Sequence, residues 1–247
     1  MKITFAALSI LLLCSFVSAQ QPITVFLAGD STMAEKLSNK RPETGWGESI
    51  QGYFDESKVR VENHAQNGRS SRSFIAENRW QAIVDKLKPG DYVFIQFGHN
   101  DEKVGTDRYA SPEDYRKNLV RFIADVRQKK GIPVLLTPVM RRRFDEQGIF
   151  QDTHGEYPNV VRAVAAEYKV ALIDMHRKSE GTIKQYGVEE SRKLFLQLKP
   201  DENANYPKGI EDNTHFSPLG AKIMASLAVE GIREQKLGLA KYLRPVR

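Results

Sequence analysis

Two short segments, far apart in the chain, carry residue types that can activate a nucleophile. Gly29-Asp30-Ser31-Thr32 presents a serine, and Asp212-Asn213-Thr214-His215 presents a histidine three residues after an aspartate. A serine hydroxyl is almost wholly protonated at neutral pH. It attacks a carbonyl when an imidazole takes its proton and a carboxylate holds that imidazole in the correct tautomer. The two segments are therefore typical of acyl transfer, with Ser31 as nucleophile, His215 as base and Asp212 as the orienting acid.

Each segment has a simpler explanation when it is taken alone. Asp30 or Ser31 can cap a helix, which is the commoner use of these residue types at a helix start. Asp-Asn-Thr is common in surface turns. The catalytic interpretation therefore depends on whether the fold brings the two segments together.

Short β-rich runs alternate with longer segments of helical period, which predicts one α/β domain with a parallel sheet covered by helices. The predicted strands are Ile23–Ala28, Lys58–Asn63, Tyr92–Phe97, Ile132–Thr137 and Val170–Ile173. The predicted helices are Trp80–Leu87, Pro112–Lys130 after a Ser111 cap, Tyr157–Tyr168, and Pro218–Gln235 after a Ser217 cap.

Unusual residues follow four of the predicted strands. In an open parallel sheet the loops after the strands converge at one edge, and ligands bind there. The sequence therefore predicts one site at this edge. At the first exit we expect Gly29 to permit a tight turn and Ser31 to begin a helix, whose free N–H groups would bind an oxyanion. The four exit segments are Gly29-Asp30-Ser31, His64 to Ser73, Gly98-His99-Asn100-Asp101 and Pro138 to His154.

Four segments in chain order resemble the motif blocks of SGNH (GDSL-like) hydrolases, namely Gly29-Asp30-Ser31, Asn63 to Gly68, Gly98-His99-Asn100-Asp101 and Asp212-Asn213-Thr214-His215. The resemblance implies a three-layer α/β/α, flavodoxin-like domain with a five-stranded parallel sheet. It also implies an oxyanion hole made by the Ser31 and Gly68 N–H groups and the Asn100 side chain. It implies catalysis without a metal ion or an organic cofactor.

Longer stretches narrow the resemblance to rhamnogalacturonan acetylesterases, which remove acetyl groups from galacturonic acid in pectin. These stretches are the segments 29–33, 67–74, 97–101 and 212–216. The resemblance implies a serine carbohydrate esterase whose substrate is an acetylated acidic polysaccharide. Xylan acetylesterase, lipase or thioesterase activity, and carbohydrate binding without catalysis, are the alternatives. Polar, basic loops disfavour a lipid, and the presence of all three triad residues disfavours a non-catalytic protein.

Arginines and one tryptophan are the candidates for substrate contact. Guanidinium groups pair with carboxylates through two parallel hydrogen bonds, which suits a uronic-acid polymer. Arg69, Arg72 and Arg79 follow the predicted oxyanion glycine, and Arg141-Arg142-Arg143 follows the fourth strand. Trp46 lies between two glycines, so we expect it on a loop where it stacks on a sugar ring.

The histidines and acids near the motifs have open or structural interpretations. His99 is equally suited to substrate contact and to a structural hydrogen bond. We expect the three histidines without a nearby serine and acid to be structural, and Asp30 and Asp101 to accept hydrogen bonds that orient loops. Those three histidines are His64, His154 and His176.

Residues 1–19 have the pattern of a secretory signal peptide: Lys2, an apolar run from Ile3 to Val17, and Val17-Ser18-Ala19 before Gln20. The run is shorter than the about 20 apolar residues that cross a bilayer. We therefore expect a mature domain of residues 20–247, secreted or periplasmic, with no stable membrane insertion. The single cysteine, Cys14, lies in this segment, so we expect no disulfide and no cysteine nucleophile in the mature chain.

The formal net charge is +6, a mild basic excess that could attract nucleic acid, an anionic membrane or an acidic polymer. The sequence has no helix-turn-helix, zinc or RNA-binding signature, so we expect a polysaccharide rather than nucleic acid as the partner. Acetyl position, chain-length preference and oligomeric state stay open.

Overall fold

A computed structural model describes residues 21–245. The predicted signal peptide lies outside these residues and stays a prediction. Five strands form one parallel sheet in the order β2-β1-β3-β4-β5, which is the flavodoxin-like order. Each strand ends within one residue of its predicted bounds, so the predicted sheet is confirmed. The strands are β1 (Ile23–Gly29), β2 (Val59–Asn63), β3 (Tyr92–Gln96), β4 (Ile132–Leu136) and β5 (Ala171–Ile173).

The helices are α1 (Trp46–Ser49), α2 (Ser71–Ala76), α3 (Arg79–Lys86), α4 (Pro112–Gln128), α5 (Tyr157–Glu167), α6 (Met175–Glu190) and α7 (Pro218–Glu234). The four predicted helices correspond to α3, α4, α5 and α7. The side chains of Ser111 and Ser217 cap α4 and α7 as predicted. Within residues 21–245, no helix is long and apolar enough to cross a membrane. Four short 3-10 helices cover Ser38–Lys40, Ile50–Tyr53, Ser191–Leu194 and Gly238–Tyr242.

Alternate side chains of each strand enter opposite apolar layers, because successive residues of a strand point to opposite faces. In β1, Val25 and Leu27 pack in the layer that contains α1 and α7. Phe26 and Ala28 pack in the layer that contains α2 to α5. Trp80 belongs to this second layer and is buried. The molecule therefore has the predicted three layers, α/β/α.

An antiparallel pair outside the main sheet was not predicted from the sequence. It consists of β6 (Phe195–Leu198) and β7 (Ile210–Phe216). The neighbours Phe195 and Leu196 pair with Phe216 and Asp212, so three residues of β7 form a bulge, which bends a strand and redirects its side chains. The motif from Asp212 to His215 therefore lies on a bulged strand and not in a surface turn.

The chain leaves β1 through a tight turn rather than a helix. The carbonyl of Asp30 accepts the N–H groups of Met33 and Ala34, and the next α-helix, α1, begins only at Trp46. The prediction that Ser31 begins a helix is therefore wrong. Ser31 lies in the turn itself, at the carboxyl edge of the sheet.

Candidate active site

The turn after β1 and the bulge of β7 bring Ser31, His215 and Asp212 into contact. His215 Nε2 lies 2.9 Å from Ser31 Oγ, and His215 Nδ1 lies 2.7 Å from Asp212 Oδ2. When Nδ1 carries the proton and donates it to the carboxylate, Nε2 is free to accept the serine proton. This arrangement can therefore deprotonate Ser31 as it attacks a carbonyl.

Asp212 is held in its ionised form by the same bulge. Burial raises the pKa of Asp212, but the hydrogen bond and charge of His215, with backbone N–H groups, outweigh burial and lower it to about 2. Its Oδ1 accepts the N–H groups of Thr214, at 2.7 Å, and His215, at 3.0 Å. At neutral pH the carboxylate is negative, so it can stabilise an imidazolium at His215.

Asp30 orients the nucleophile turn. Its Oδ1 accepts the backbone N–H of Thr32 at 2.9 Å and the Thr32 hydroxyl at 2.8 Å. Burial raises the pKa of Asp30, but the charge of the neighbouring His99 and the hydrogen bonds from Thr32 lower it to about 2. Asp30 is thus a buried anion that fixes the turn, as predicted.

The predicted oxyanion donors Gly68 and Asn100 line one pocket of about 470 Å³ together with Ser31 and His215. Among the described residues, none accepts a hydrogen bond from the backbone N–H of Ser31 or Gly68. Gly68 has a φ of 75°, in the left-handed region that favours glycine. The residues that carry these two backbone donors and the amide side chain therefore line the same pocket as the serine.

Asp101 ties two of the loops that form this pocket. Its Oδ1 accepts the N–H and hydroxyl of Ser71, and its Oδ2 accepts the N–H of Gly98. Burial raises the pKa of Asp101, and the hydrogen bonds from Ser71 lower it. Burial is the larger effect, so the pKa is about 7. The loop that carries Gly68 is thus attached to the loop that carries Asn100, as the predicted orienting role requires.

The model of the GDSL-like Lipase/Acylhydrolase family matches residues 27–223. The chain belongs to this family. It is 46% identical over 225 residues to the rhamnogalacturonan acetylesterase RhgT of Bacillus subtilis, covering 91% of this chain and 95% of that protein. It is 47% identical over 230 residues to a rhamnogalacturonan acetylesterase of Emericella nidulans, covering 85% of this chain and 84% of that protein. The prediction of an SGNH (GDSL-like) esterase is confirmed.

Solved structures agree with the fold of this esterase. The YxiM protein of Bacillus subtilis matches with a TM-score of 0.76 and 27% identity, over 89% of this chain and 58% of that chain. An acetylxylan esterase from Geobacillus stearothermophilus matches with a TM-score of 0.60, over 87% of this chain and 95% of that chain. The second match is only 19% identical, so it bears on the fold alone.

Four cationic side chains line the pocket of the esterase. They outnumber its acidic side chains, Glu43 and Asp212. Among residues 21–245, no cluster of His, Cys, Asp and Glu could hold a metal ion. A larger groove of about 960 Å³ lies beside α7 and contains none of the motif residues, so volume alone does not identify the site. The four cations are Lys40, Lys103, Arg108 and Arg141.

Of the arginines predicted to contact substrate, Arg141 lines the pocket and the others do not. Arg141 also pairs with Glu102. Arg69 and Arg79 both pair with Glu77. Arg72 donates to the carbonyl of Tyr109. Arg69 and Arg72 therefore do not line the pocket, and their predicted contacts with substrate stay a prediction.

Arg142 supports the catalytic bulge instead of binding substrate. It is only 8% exposed. It donates to Ser191 Oγ at 3.0 Å and to Asn213 Oδ1 at 3.1 Å, and its own backbone N–H donates to the Asn213 carbonyl. Because Asn213 lies between Asp212 and His215, Arg142 fixes the segment that carries the acid and the base.

Trp46 is buried in the core, so the prediction that it stacks on a sugar is wrong. Its exposed fraction is 0%, and its Nε1 donates to Gln96 Oε1 at 3.1 Å. The flanking glycines serve close packing rather than a surface loop. A Cβ on Gly45 would lie 2.0 Å from the carbonyl oxygen of Ala34, and one on Gly47 would lie 2.5 Å from that of Met33.

His99 lies at the base of the pocket. It is 2% exposed, and its Nδ1 lies 3.4 Å from Asp30 Oδ2. Burial lowers the pKa of His99 and the negative charge of Asp30 raises it. Burial is the larger effect, so the pKa is about 4 and the ring is neutral at pH 7. The other histidines have structural partners, as expected: Glu62 for His64, Glu102 and the Val139 carbonyl for His154, and Asp152 for His176.

Sequence reasoning missed Lys36. Its side chain is fully buried, and Nζ bonds the carbonyl oxygen of Ser31, Asn67 Oδ1 at 2.8 Å and Glu43 Oε1 at 2.8 Å. This ammonium joins the nucleophile turn to the residue before Gly68. A lone lysine five residues after Ser31 has no distinguishing spacing, so the sequence offered no signal for this contact.

Proposed function

We propose that this esterase removes acetyl groups from acetylated rhamnogalacturonan in pectin. The observation that carries the proposal is a single pocket that contains the hydrogen-bonded Ser31, His215 and Asp212 and is also lined by four cationic side chains. The relatives from Bacillus subtilis and Emericella nidulans described above, which are both named rhamnogalacturonan acetylesterases, support the same substrate. Acyl transfer supplies the reaction, and the cations supply the preference for an acidic polymer.

The reaction proceeds in two steps. His215 Nε2 accepts the Ser31 proton while Ser31 Oγ bonds to the acetyl carbon, and the carbonyl oxygen becomes an oxyanion. The Ser31 and Gly68 N–H groups and the Asn100 amide stabilise this oxyanion. As the ester C–O bond breaks, His215 returns the proton to the sugar oxygen. His215 then takes a proton from a water molecule as its oxygen bonds to the acetyl carbon. The bond from that carbon to Ser31 Oγ breaks, His215 returns the proton to Ser31 Oγ, and acetate leaves.

The chemistry of the pocket favours a carboxylate polymer over a lipid or a neutral glycan. Lysine and arginine attract the uronate groups of rhamnogalacturonan, and arginine can bind them bidentately. Among the described residues that line the pocket, none has a large apolar side chain, whereas a long acyl chain needs apolar surface to bind. No contact in the pocket favours a neutral xylan over a uronate polymer.

Acetate release from three polymers tests this substrate. Acetylated rhamnogalacturonan, acetylated homogalacturonan and acetylated xylan are compared at equal acetyl concentration, with the Ser31→Ala variant as the blank. We expect the highest kcat/KM on rhamnogalacturonan. An equal or higher kcat/KM on xylan would overturn the proposed substrate while leaving the esterase assignment intact.

Export from the cytoplasm completes the proposal. The basic and apolar pattern of residues 1–19 supports a cleaved signal peptide, and a polymer such as pectin is met outside the cytoplasm. Expression of the full chain, followed by N-terminal sequencing of the exported protein, should give a start near Gln20. Retention of the uncleaved chain in the cytoplasm would contradict this part of the proposal.

A further inference from the structure

The side chain of Asn100 is held at both ends of its carboxamide. Nδ2 donates to the carbonyl oxygen of Arg69 at 3.0 Å. Oδ1 accepts from Lys103 Nζ at 3.1 Å and from Arg108 Nη1 at 3.3 Å. A primary amide nitrogen carries two N–H donors, so the Arg69 carbonyl uses one and leaves the other. Asn100 is 2% exposed, and the remaining donor belongs to a residue that lines the pocket with Ser31.

We infer that Lys103 and Arg108 are positioning residues of the oxyanion hole, which fix the orientation of the Asn100 carboxamide and strengthen its free N–H as a donor. This inference rests on the proposed function, in which Asn100 stabilises the oxyanion. It assigns to two cations of the pocket a role in the chemical step that is separate from attraction of an acidic polymer.

Orientation is the first effect of the two cations. The two ends of a carboxamide have nearly the same shape, so packing alone does not distinguish them. If the Asn100 amide flipped, its NH₂ group would meet Lys103 and Arg108, and its oxygen would meet the Arg69 carbonyl. Each of these contacts would be repulsive. The flipped amide would also present its oxygen where the oxyanion forms.

Polarisation is the second effect. Hydrogen bonds from charged donors are stronger than neutral ones, and hydrogen bonds in a chain polarise one another. Two cations on Oδ1 withdraw electron density from the amide and make the free N–H of Asn100 more positive. The benefit grows when negative charge develops on the substrate oxygen, so it lowers the barrier more than it tightens ground-state binding.

Arg108 also lies beside the other predicted oxyanion loop. A Cβ placed on Gly68 would be 3.6 Å from Arg108 Nη1, the same nitrogen that bonds Asn100. One guanidinium therefore lies against both loops that supply oxyanion donors. Its removal should loosen the spacing between Gly68 and Asn100 as well as the amide of Asn100.

The test uses a small neutral acetate ester, because such a substrate has no carboxylate for a cation to attract. Loss of a whole oxyanion donor lowers kcat about 100- to 1,000-fold. We expect Lys103→Met and Arg108→Met each to lower kcat about 10-fold, a part of that effect, with KM nearly unchanged. Lys88→Met removes the same charge from an exposed position before β3, at the opposite edge of the sheet, and should change neither constant.

Two further measurements separate positioning from a structural role. Lys103→Arg and Arg108→Lys keep a cation near Asn100 Oδ1 and should restore most of kcat, with thermal melting showing that every variant is folded. In an Asn100→Ala background, Lys103→Met should lower kcat no further, because the amide on which it acts is gone. Arg108→Met should lower kcat less than it does in the wild type, because only its contact with the Gly68 loop remains.

Equal losses in the wild-type and Asn100→Ala backgrounds would overturn the inference. A loss confined to KM on the acidic polymer would also overturn it, and would assign the two cations to substrate attraction alone. Failure of the proposed function would look different. A wrong substrate would appear as an equal or higher kcat/KM on acetylated xylan, and a wrong catalytic site would appear as a wild-type enzyme that matches Ser31→Ala on the neutral ester.

Discussion

Asp212→Asn separates the orienting carboxylate from the rest of the triad. Asparagine keeps an oxygen that can accept the backbone N–H groups of Thr214 and His215, which Asp212 Oδ1 accepts at 2.7 and 3.0 Å. The bulge of β7 should therefore persist. The other position, where Asp212 Oδ2 lies 2.7 Å from His215 Nδ1, becomes an NH₂ donor. It favours the tautomer with the proton on Nε2, which then cannot accept the proton of Ser31.

The magnitude follows from this wrong tautomer and from the lost charge. In triads of this kind an aspartate-to-asparagine change lowers kcat about 10⁴-fold, whereas loss of the serine or histidine lowers it about 10⁶-fold. At 1.36 kcal/mol for each tenfold change, about 10⁴ corresponds to about 5 kcal/mol of transition-state stabilisation. We expect Asp212→Asn to retain about 100 times the activity of Ser31→Ala or His215→Ala.

The assay measures kcat on a small chromogenic acetate, with circular dichroism and thermal melting to show that each variant is folded. Asp55→Asn is the matched control, because Asp55 Oδ1 also accepts a nearby backbone N–H, that of Ser57 at 3.0 Å, outside the pocket. It should leave kcat unchanged. A folded Asp212→Asn variant as inactive as Ser31→Ala would refute the orienting role, and so would one with wild-type activity.

Three other outcomes are expected. Ser31→Ala should abolish hydrolysis of the chromogenic acetate without changing the circular dichroism spectrum, and retained activity would exclude Ser31 as nucleophile. Raising ionic strength from about 0.01 M to about 0.5 M should raise KM for acetylated rhamnogalacturonan much more than for a neutral ester, and Lys40→Glu should reproduce that selective change at low salt. Burial lowers the pKa of His99 to about 4, so between about pH 6.5 and 4 this histidine is protonated in the unfolded chain and neutral in the folded one. Stability therefore decreases as the pH is lowered through this range. In urea unfolding, His99→Gln should remove up to about 3 kcal/mol of that pH dependence, and an unchanged slope would contradict the assignment.

The sheet and the long helices were predictable because their signals are local. A run such as Tyr92–Gln96, buried along its whole length, reads as a strand covered on both faces. Serine caps followed by proline mark the starts of α4 and α7. These signals need no knowledge of which other segment lies nearby.

Elements defined by distant partners were not predictable in the same way. β7 is a polar strand, and its pairing with β6 and its three-residue bulge depend on a segment that the chain reaches only after residues 199–209. Trp46 was misassigned for a related reason. Its flanking glycines indicate a loop when read locally, but they are required by close approach to the backbone of Met33 and Ala34.

The catalytic groups and the substrate-binding groups of the pocket differ in how far a sequence can reveal them. Topology forces strand exits together, so a serine after β1 and an amide after β3 meet wherever the sheet forms. Cations have no such constraint, since any of the 37 lysines and arginines can be neutralised by an acid that lies elsewhere in the chain. Arg69 and Arg79 are bound to Glu77, whereas Lys103 and Arg108 bond the uncharged amide of Asn100. The acid paired with Arg108, Asp107, is exposed and lies 3.9 Å from Arg108 Nε. The preference for an acidic polymer therefore depends on which cations the fold places at the pocket, and loop exchanges between residues 101 and 110 should change substrate preference and the rate of the chemical step together.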